Sequence, residues 1–183
     1  MIDPKKITDF HRTEYELQEF LLFCIFVAGK TAKIIAPKLD GFLEDKTQLP
    51  FDYLESMGHE GFKAHLRKHK IGKYGLLDSG LWALVRFKPD LRNMSFNSLE
   101  SYLGIGPKTS RFFVLHSRPG IKTVVLDTHI LKDVRKRGIN APVSTPQGRK
   151  YEDISRQYVR LLEADGVTDF AEFDLNKWKE YAK

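Results

Sequence analysis

A chain of 183 residues with 42% hydrophobic content is long enough to bury a core, either as one domain or as two packed subdomains. Thirty Lys and Arg against 24 Asp and Glu leave a net charge of +6 and a pI near 9.3, so an anionic partner is expected, with nucleic acid first among the candidates. The single cysteine, Cys24, excludes an internal disulfide, a four-cysteine zinc site and a cysteine-ligated iron–sulfur cluster, and a reducing, intracellular setting is the default expectation.

The N-terminus lacks the apolar region of a signal peptide, and the longest apolar run, residues 20–28, falls short of the roughly 18 residues that a spanning helix needs, so neither secretion nor a membrane is expected. Residues 13–39 open with Thr13 and Glu16 at capping-box spacing and then place apolar side chains on nearly every face, which predicts one central buried helix. The "GKT" at 29–31 lacks the upstream glycine of a nucleotide-binding loop, position 24 being Cys24, and no strand precedes it; ATP binding is rejected. Residues 40–58 read as a short helix and turns, broken at Pro50 and Gly58.

"GHEGFKAHLRKHKIGKYG", residues 58–75, holds five Lys or Arg against the single acid Glu60 and breaks at Ile71 and Gly72 before a helix over 73–87. A basic bend of this kind can grip phosphates, a solvated basic helix being the alternative and compatible with DNA contact. His65 and His69 stand four apart, as metal ligands on one helix face do. Only His59 and Glu60 are near in sequence to complete a set, however, and the surrounding cations repel a divalent ion, so no metal site is expected.

Ser98 reads as the cap of a helix over 99–103, Gly104 leaves that helix with positive φ, and Pro107 opens the next helix, where its missing N–H is harmless. The pattern is helix, hairpin, helix. Two glycines, Gly104 and Gly106, admit a phosphate to the backbone, and the amides and dipole of the following helix attract it. A purely structural interhelical turn is the alternative.

Lys108 falls in the first turn of that helix, where a cation is unfavourable unless it grips a phosphate or serves as an amine of lowered pKa. A neutral amine can attack a sugar carbon and form a Schiff base. Asp127, ahead of "THILKDVRKRG", reads as the N-cap of a helix ending at Gly138. The same carboxylate could also stabilise oxocarbenium-like charge at a breaking glycosidic bond.

Beyond it, residues 141–150 form a connection, and a helix over 151–164 carries the apolar stripe Ile154, Tyr158, Leu161 and Leu162 before Gly166 ends it. Residues 168–183 read as one or two short helices, with Asp174 as an N-cap and Trp178 facing inward. The only β-like piece, 122–126, is short and isolated, so the protein is expected to be all-α.

"YLGIGPKTSRFF" followed by "VLDTHIL" resembles the helix-hairpin-helix DNA glycosylase superfamily, whose bifunctional members carry a lysine in the second motif helix and an aspartate in a V-D-x-H setting. Lys108 and Asp127 match those positions, with Leu126 where valine is usual. The resemblance is sharpest over 98–138 and looser over 16–39. It implies two helical subdomains with an interdomain active-site cleft, one made of residues 29–133 with the motif at about 98–117, the other of 1–28 plus 134–183. The implied partner is double-stranded DNA containing a damaged base, which is flipped out so that Lys108, assisted by Asp127, can displace it and cleave the strand. Gly104, Gly106, Lys73 and Thr109 would contact the DNA backbone.

Because the four-cysteine cluster usual in the endonuclease III branch cannot form, the resemblance points to the 8-oxoguanine glycosylases, and the short length and the ending "FDLNKWKEYAK" look most like their compact type 2 members. There the carboxylate of a terminal lysine, here Lys183, helps recognise the oxidised guanine, with Trp178 as a wall of the pocket. Phe112, Phe113 and Trp82 could stack on the base, core packing being the alternative for each. Where relatives often place Gln or Asn in the hole left by the flipped base, this chain has Ala28, Gly29 and Lys30; Lys30 either fills the gap or touches a phosphate. No cofactor is required by the resemblance, a monovalent cation at the hairpin is compatible with it, and a cytoplasmic, nucleoid-associated prokaryotic or archaeal monomer is expected. The competing readings are a glycosylase for another oxidised or modified base and a non-catalytic DNA-binding module.

Overall fold

The computed structural model describes residues 2–3 and 6–181, and among these the regular structure consists of ten α-helices with no strand, as expected. None of the helices is long and apolar enough to cross a membrane. By internal contacts the chain divides into two units that are each continuous in sequence, Met1–Ile105 and Gly106–Lys183. The boundaries taken from the resemblance would instead join both chain ends in one subdomain.

Unit 1 is organised around α1 (Glu14–Val27), which buries every residue from Leu17 to Phe26. The capping box forms: Glu16 N donates to Thr13 Oγ at 3.3 Å, while Thr13 N donates to the Glu16 carboxylate at 2.8 Å. The single helix expected over 13–39 does not. After Ala28 the chain turns through Gly29 at φ +74°, Lys30 N donates to Val27 O at 2.8 Å, and α2 (Ala32–Phe42) starts afresh. A left-handed glycine satisfies a helix-end carbonyl at little steric penalty, and the apolar periodicity on either side conceals the break.

Around α1 and α2 follow α3 (Pro50–Ser56), α4 (Gly58–Lys68), α5 (Tyr74–Phe87) and α6 (Phe96–Glu100). Pro50 and Gly58, expected as breakers, each open a helix. Gln18 of α1 accepts a hydrogen bond from Phe51 N at 2.9 Å, tying α3 to the central helix. The cap of α6 is Ser95, whose Oγ accepts from Ser98 N at 3.1 Å, and not Ser98, whose hydroxyl pairs with that of Ser95 at 2.8 Å. Gly80 in α5 supports the hairpin: a Cβ there would lie 1.7 Å from Leu103 O, so the turn leading into Gly104 can approach only a glycine.

Unit 2 comprises α7 (Pro107–Ser117), α8 (Thr128–Lys136), α9 (Gly148–Ala164) and α10 (Phe170–Tyr181), with α10 packed on α7 and α8. Phe113, Leu131, Val134, Tyr151, Tyr158 and Leu162 fill its core. Residues 170–181 form one helix, and Asp169 rather than Asp174 serves its start, accepting from Glu172 N at 2.9 Å. Asp174 lies inside the helix and is buried. The inward stripe passes through positions 170, 174, 177 and 181, leaving Trp178 to one side and 51% exposed rather than facing inward.

Candidate active site

Four side chains of unit 2 form the candidate site: Lys108, Asp127, His116 and Asp174. Gly104 takes φ +94°, as the hairpin requires, whereas Gly106 is extended at φ −95° and serves as the N-cap position of α7. Nothing in the Gly106 backbone requires glycine, and a Cβ there would meet only Gln147 Oε1 at 3.8 Å. Pro107 occupies the first position of α7, and no side chain caps this helix. Its first turn, with Lys108 half-buried and Thr109 buried, therefore combines uncapped backbone amides with a cationic side chain.

Asp127 is held from three directions. Its Oδ1 accepts from His129 N and Ile130 N, both at 2.8 Å, which closes the start of α8. The backbone leading to it is extended, and the Tyr151 hydroxyl supports that stretch by accepting from Leu126 N at 2.9 Å and donating to Val124 O at 3.2 Å. Asp127 N donates to Val125 O at 2.7 Å. With both its side chain and its backbone anchored, this carboxylate has a defined position before any ligand arrives. Burial pushes the Tyr151 hydroxyl well above its ordinary range, so it remains a neutral donor.

His116 of α7 is fully buried and pairs with the buried Asp174 of α10 at 3.2 Å. Burial raises the Asp174 carboxyl above its ordinary range against the pull of His116; the negative charge of Asp127 adds to the rise and the positive charge of Lys108 opposes it. Asp174 thus lies within electrostatic reach of both Lys108 and Asp127. His129 adds a buried Nδ1 without a hydrogen-bond partner, and its ring stacks on Tyr181 at 6.3 Å.

The other predicted site residues are distributed differently. Phe113 is fully buried in the core of unit 2, so its helical spacing reflects packing, while Phe112 is half-buried against the His116 ring at 4.6 Å. Lys183 lies outside the described residues. In unit 1, Lys30 donates to Ile71 O and Lys73 to Ala28 O, so the two predicted DNA contacts clip the α1–α2 turn to the α4–α5 turn. Burial lowers the Lys30 pKa, and Lys73 and Lys38 lower it further. Trp82 stacks on His59 at 5.0 Å.

Sequence reasoning missed His116 as a site residue and misassigned Asp174. The available signal was a histidine directly after the apolar run "FFVL", but its partner stands 58 positions away. Comparison with protein-family models, curated proteins and solved structures gave no match.

Proposed function

We propose that the protein is a bifunctional DNA glycosylase and abasic-site lyase that excises 8-oxoguanine from double-stranded DNA. The proposal is carried by two features of one unit, Lys108 in the uncapped first turn of α7 and Asp127 fixed at the start of α8, whose charges both act on the buried Asp174. A purely DNA-binding hairpin needs no such carboxylate, and the cationic Lys108 beside the uncapped amides of α7 suits a phosphate.

In the proposed reaction the flipped nucleotide presents C1′ to Lys108. The neutral Nζ forms a bond to C1′ as the C1′–N9 bond breaks, and the base leaves with the bonding pair and takes up a proton. The carboxylate of Asp127 stabilises the positive charge that develops on the sugar and accepts a proton from the nitrogen. The nitrogen lone pair then forms the C1′=N bond as the C1′–O4′ bond breaks, O4′ takes up a proton to become the 4′ hydroxyl, and the protonated Schiff base results. Loss of a C2′ proton then sends electrons toward C3′ and expels the 3′ phosphate, and water hydrolyses the imine to release Lys108. The choice of 8-oxoguanine rests on the resemblance of the "CIFVAGKTAKI" and "FDLNKWKEY" segments to those of the type 2 enzymes.

The test is a set of duplexes, each carrying one defined lesion, assayed for strand cleavage and for a borohydride-trapped covalent complex. The native chain is expected to cleave and to be trapped on 8-oxoguanine DNA. Lys108→Gln is expected to lose both while retaining binding to the same duplex. Undiminished trapping in Lys108→Gln would remove the lysine from the nucleophile role, and binding without cleavage of any lesion would favour the DNA-binding module.

A further inference from the structure

We infer that Glu44, His65 and His69 form a zinc site in unit 1, separate from the DNA chemistry proposed for Lys108 and Asp127. One donor atom from each of the three residues lies within 4.8 Å of the others. His65 is in the last turn of α4 and His69 caps that helix, four residues on, with the two ring centroids 4.4 Å apart. Glu44 reaches them from the segment that follows α2.

The hydrogen bonding of the two rings favours ligation. His65 Nε2 lies 2.8 Å from the carbonyl oxygen of Phe42, and a carbonyl can only accept, so this nitrogen carries the proton. In the neutral ring Nδ1 is then left with its lone pair, and ring orientation and tautomer are set by a backbone carbonyl, as they commonly are for metal-bound histidines. His69 Nε2 is buried and has no hydrogen-bond partner. A buried nitrogen in this condition is unfavourable unless something not yet bound satisfies it. His65 is itself buried, whereas the Glu44 carboxylate is exposed and free to adjust.

Two histidines and a carboxylate suit Zn²⁺, with a fourth position open to water, whereas Mg²⁺ and Ca²⁺ prefer all-oxygen sets. Tetrahedral ligation at about 2.0–2.1 Å places donors about 3.3 Å apart, so the site contracts on binding, with Glu44 able to close its two separations by rotation. The competing contacts are weak: Glu44 Oε1 accepts from Tyr53 at 3.2 Å and from Lys68 at 3.4 Å, the latter between two largely exposed side chains. His59 and Glu60, the neighbours expected to complete a metal set, are engaged elsewhere, with Asp78 at 2.6 Å and Lys63 at 2.9 Å. The third ligand comes from 21 positions before His65, outside any local motif. Zinc bound here would tie the end of α2 to the end of α4.

The test uses tag-free, chelator-treated full-length protein with Co²⁺ and Zn²⁺ as probes. One Co²⁺ per chain is expected to bind with the visible absorption of a four- or five-coordinate ion and to be displaced by Zn²⁺. Zn²⁺ at 100-fold excess over its Kd should raise the unfolding temperature by about 5–10 °C. His69→Gln and Glu44→Gln should each weaken binding by at least about 10- to 100-fold, the loss that even a supporting residue of a metal site can bring. If His69→Gln does not fold, the exposed Glu44→Gln decides alone. Absence of metal uptake, uptake undiminished in both variants, or loss in His69→Gln but not in Glu44→Gln would overturn the three-donor site. Borohydride trapping does not enter any of these readouts, so the zinc site and the proposed glycosylase stand or fall separately.

Discussion

Asp133 and Asp174 are buried to nearly the same depth in unit 2, at 5% and 8% exposure, yet their surroundings drive them in opposite directions. Burial alone would raise the Asp133 pKa, but hydrogen bonds from Tyr158, Lys177 and Arg137 bring it below the ordinary range. Its Oδ2 accepts from Tyr158 and, at 2.7 Å, from Arg137, while Oδ1 accepts from Lys177 at 3.0 Å and Tyr181 at 3.3 Å. These donors join α8 to α9 and α10. Asp174 pairs with His116, and burial dominates its titration. The number and charge of the donors, not depth, separates a carboxylate that braces the fold from one whose proton is available for other uses.

The comparison can be broken most strongly at Asp133. Asp133→Ala leaves four donors facing a void and is expected to destabilise unit 2 by roughly 3–4 kcal/mol, the range for breaking a buried charged network. A thermal melt should fall by roughly 6–15 °C. A change under 1 °C would refute the bracing role. Because the folded-state pKa of Asp133 is depressed, its contribution is present above the unfolded value near 3.8 and is lost as pH falls through the lower folded value. The stability gap between native protein and Asp133→Asn should therefore narrow in that acidic window.

Asp127→Asn comes next and acts on activity. Asparagine can still cap α8, so stability should change by less than about 1 kcal/mol. Single-turnover excision of 8-oxoguanine should fall by at least about 100-fold, equivalent to about 2.7 kcal/mol. Near-native rates would reduce Asp127 to a helix cap.

Asp174→Asn should alter stability at neutral pH by no more than about 1 kcal/mol, because the amide keeps the volume and can still pair with His116. The sign of its pH dependence is opposite to that of Asp133. With a folded-state pKa raised above 3.8, Asp174 contributes fully below that value and loses its contribution as pH rises through the folded value. Native protein should thus lose ground to Asp174→Asn with rising pH, which denaturant titrations at several pH values would measure. A gap that widens in favour of the native chain would mean that Asp174 is braced like Asp133.

The smallest effect is expected at Trp178, which is 51% exposed. Trp178→Ala should shift stability by within about 0.5 kcal/mol. If it walls a base pocket, excision of 8-oxoguanine should weaken while cleavage of abasic DNA stays unchanged. Unchanged rates on both substrates would leave Trp178 a surface residue.

Features governed by neighbouring residues were legible in the amino-acid sequence: the all-α class, the Thr13–Glu16 capping box, the left-handed Gly104, Pro107 opening α7 with Lys108 in its first turn, and Asp127 capping α8. Each depends on backbone sterics or on a hydrogen bond spanning two or three positions, so the local order of residues is sufficient. Tertiary structure decided where the apolar run at 13–39 breaks, which of Ser95 and Ser98 caps α6, and which side of α10 turns inward. It also decided that Asp174 meets His116 and that Glu44 joins His65 and His69. Hydrophobic periodicity reports that a face is buried but not what it is buried against, and the identity of a distant partner is what turns a buried carboxyl or imidazole into a brace, a reactive group or a ligand.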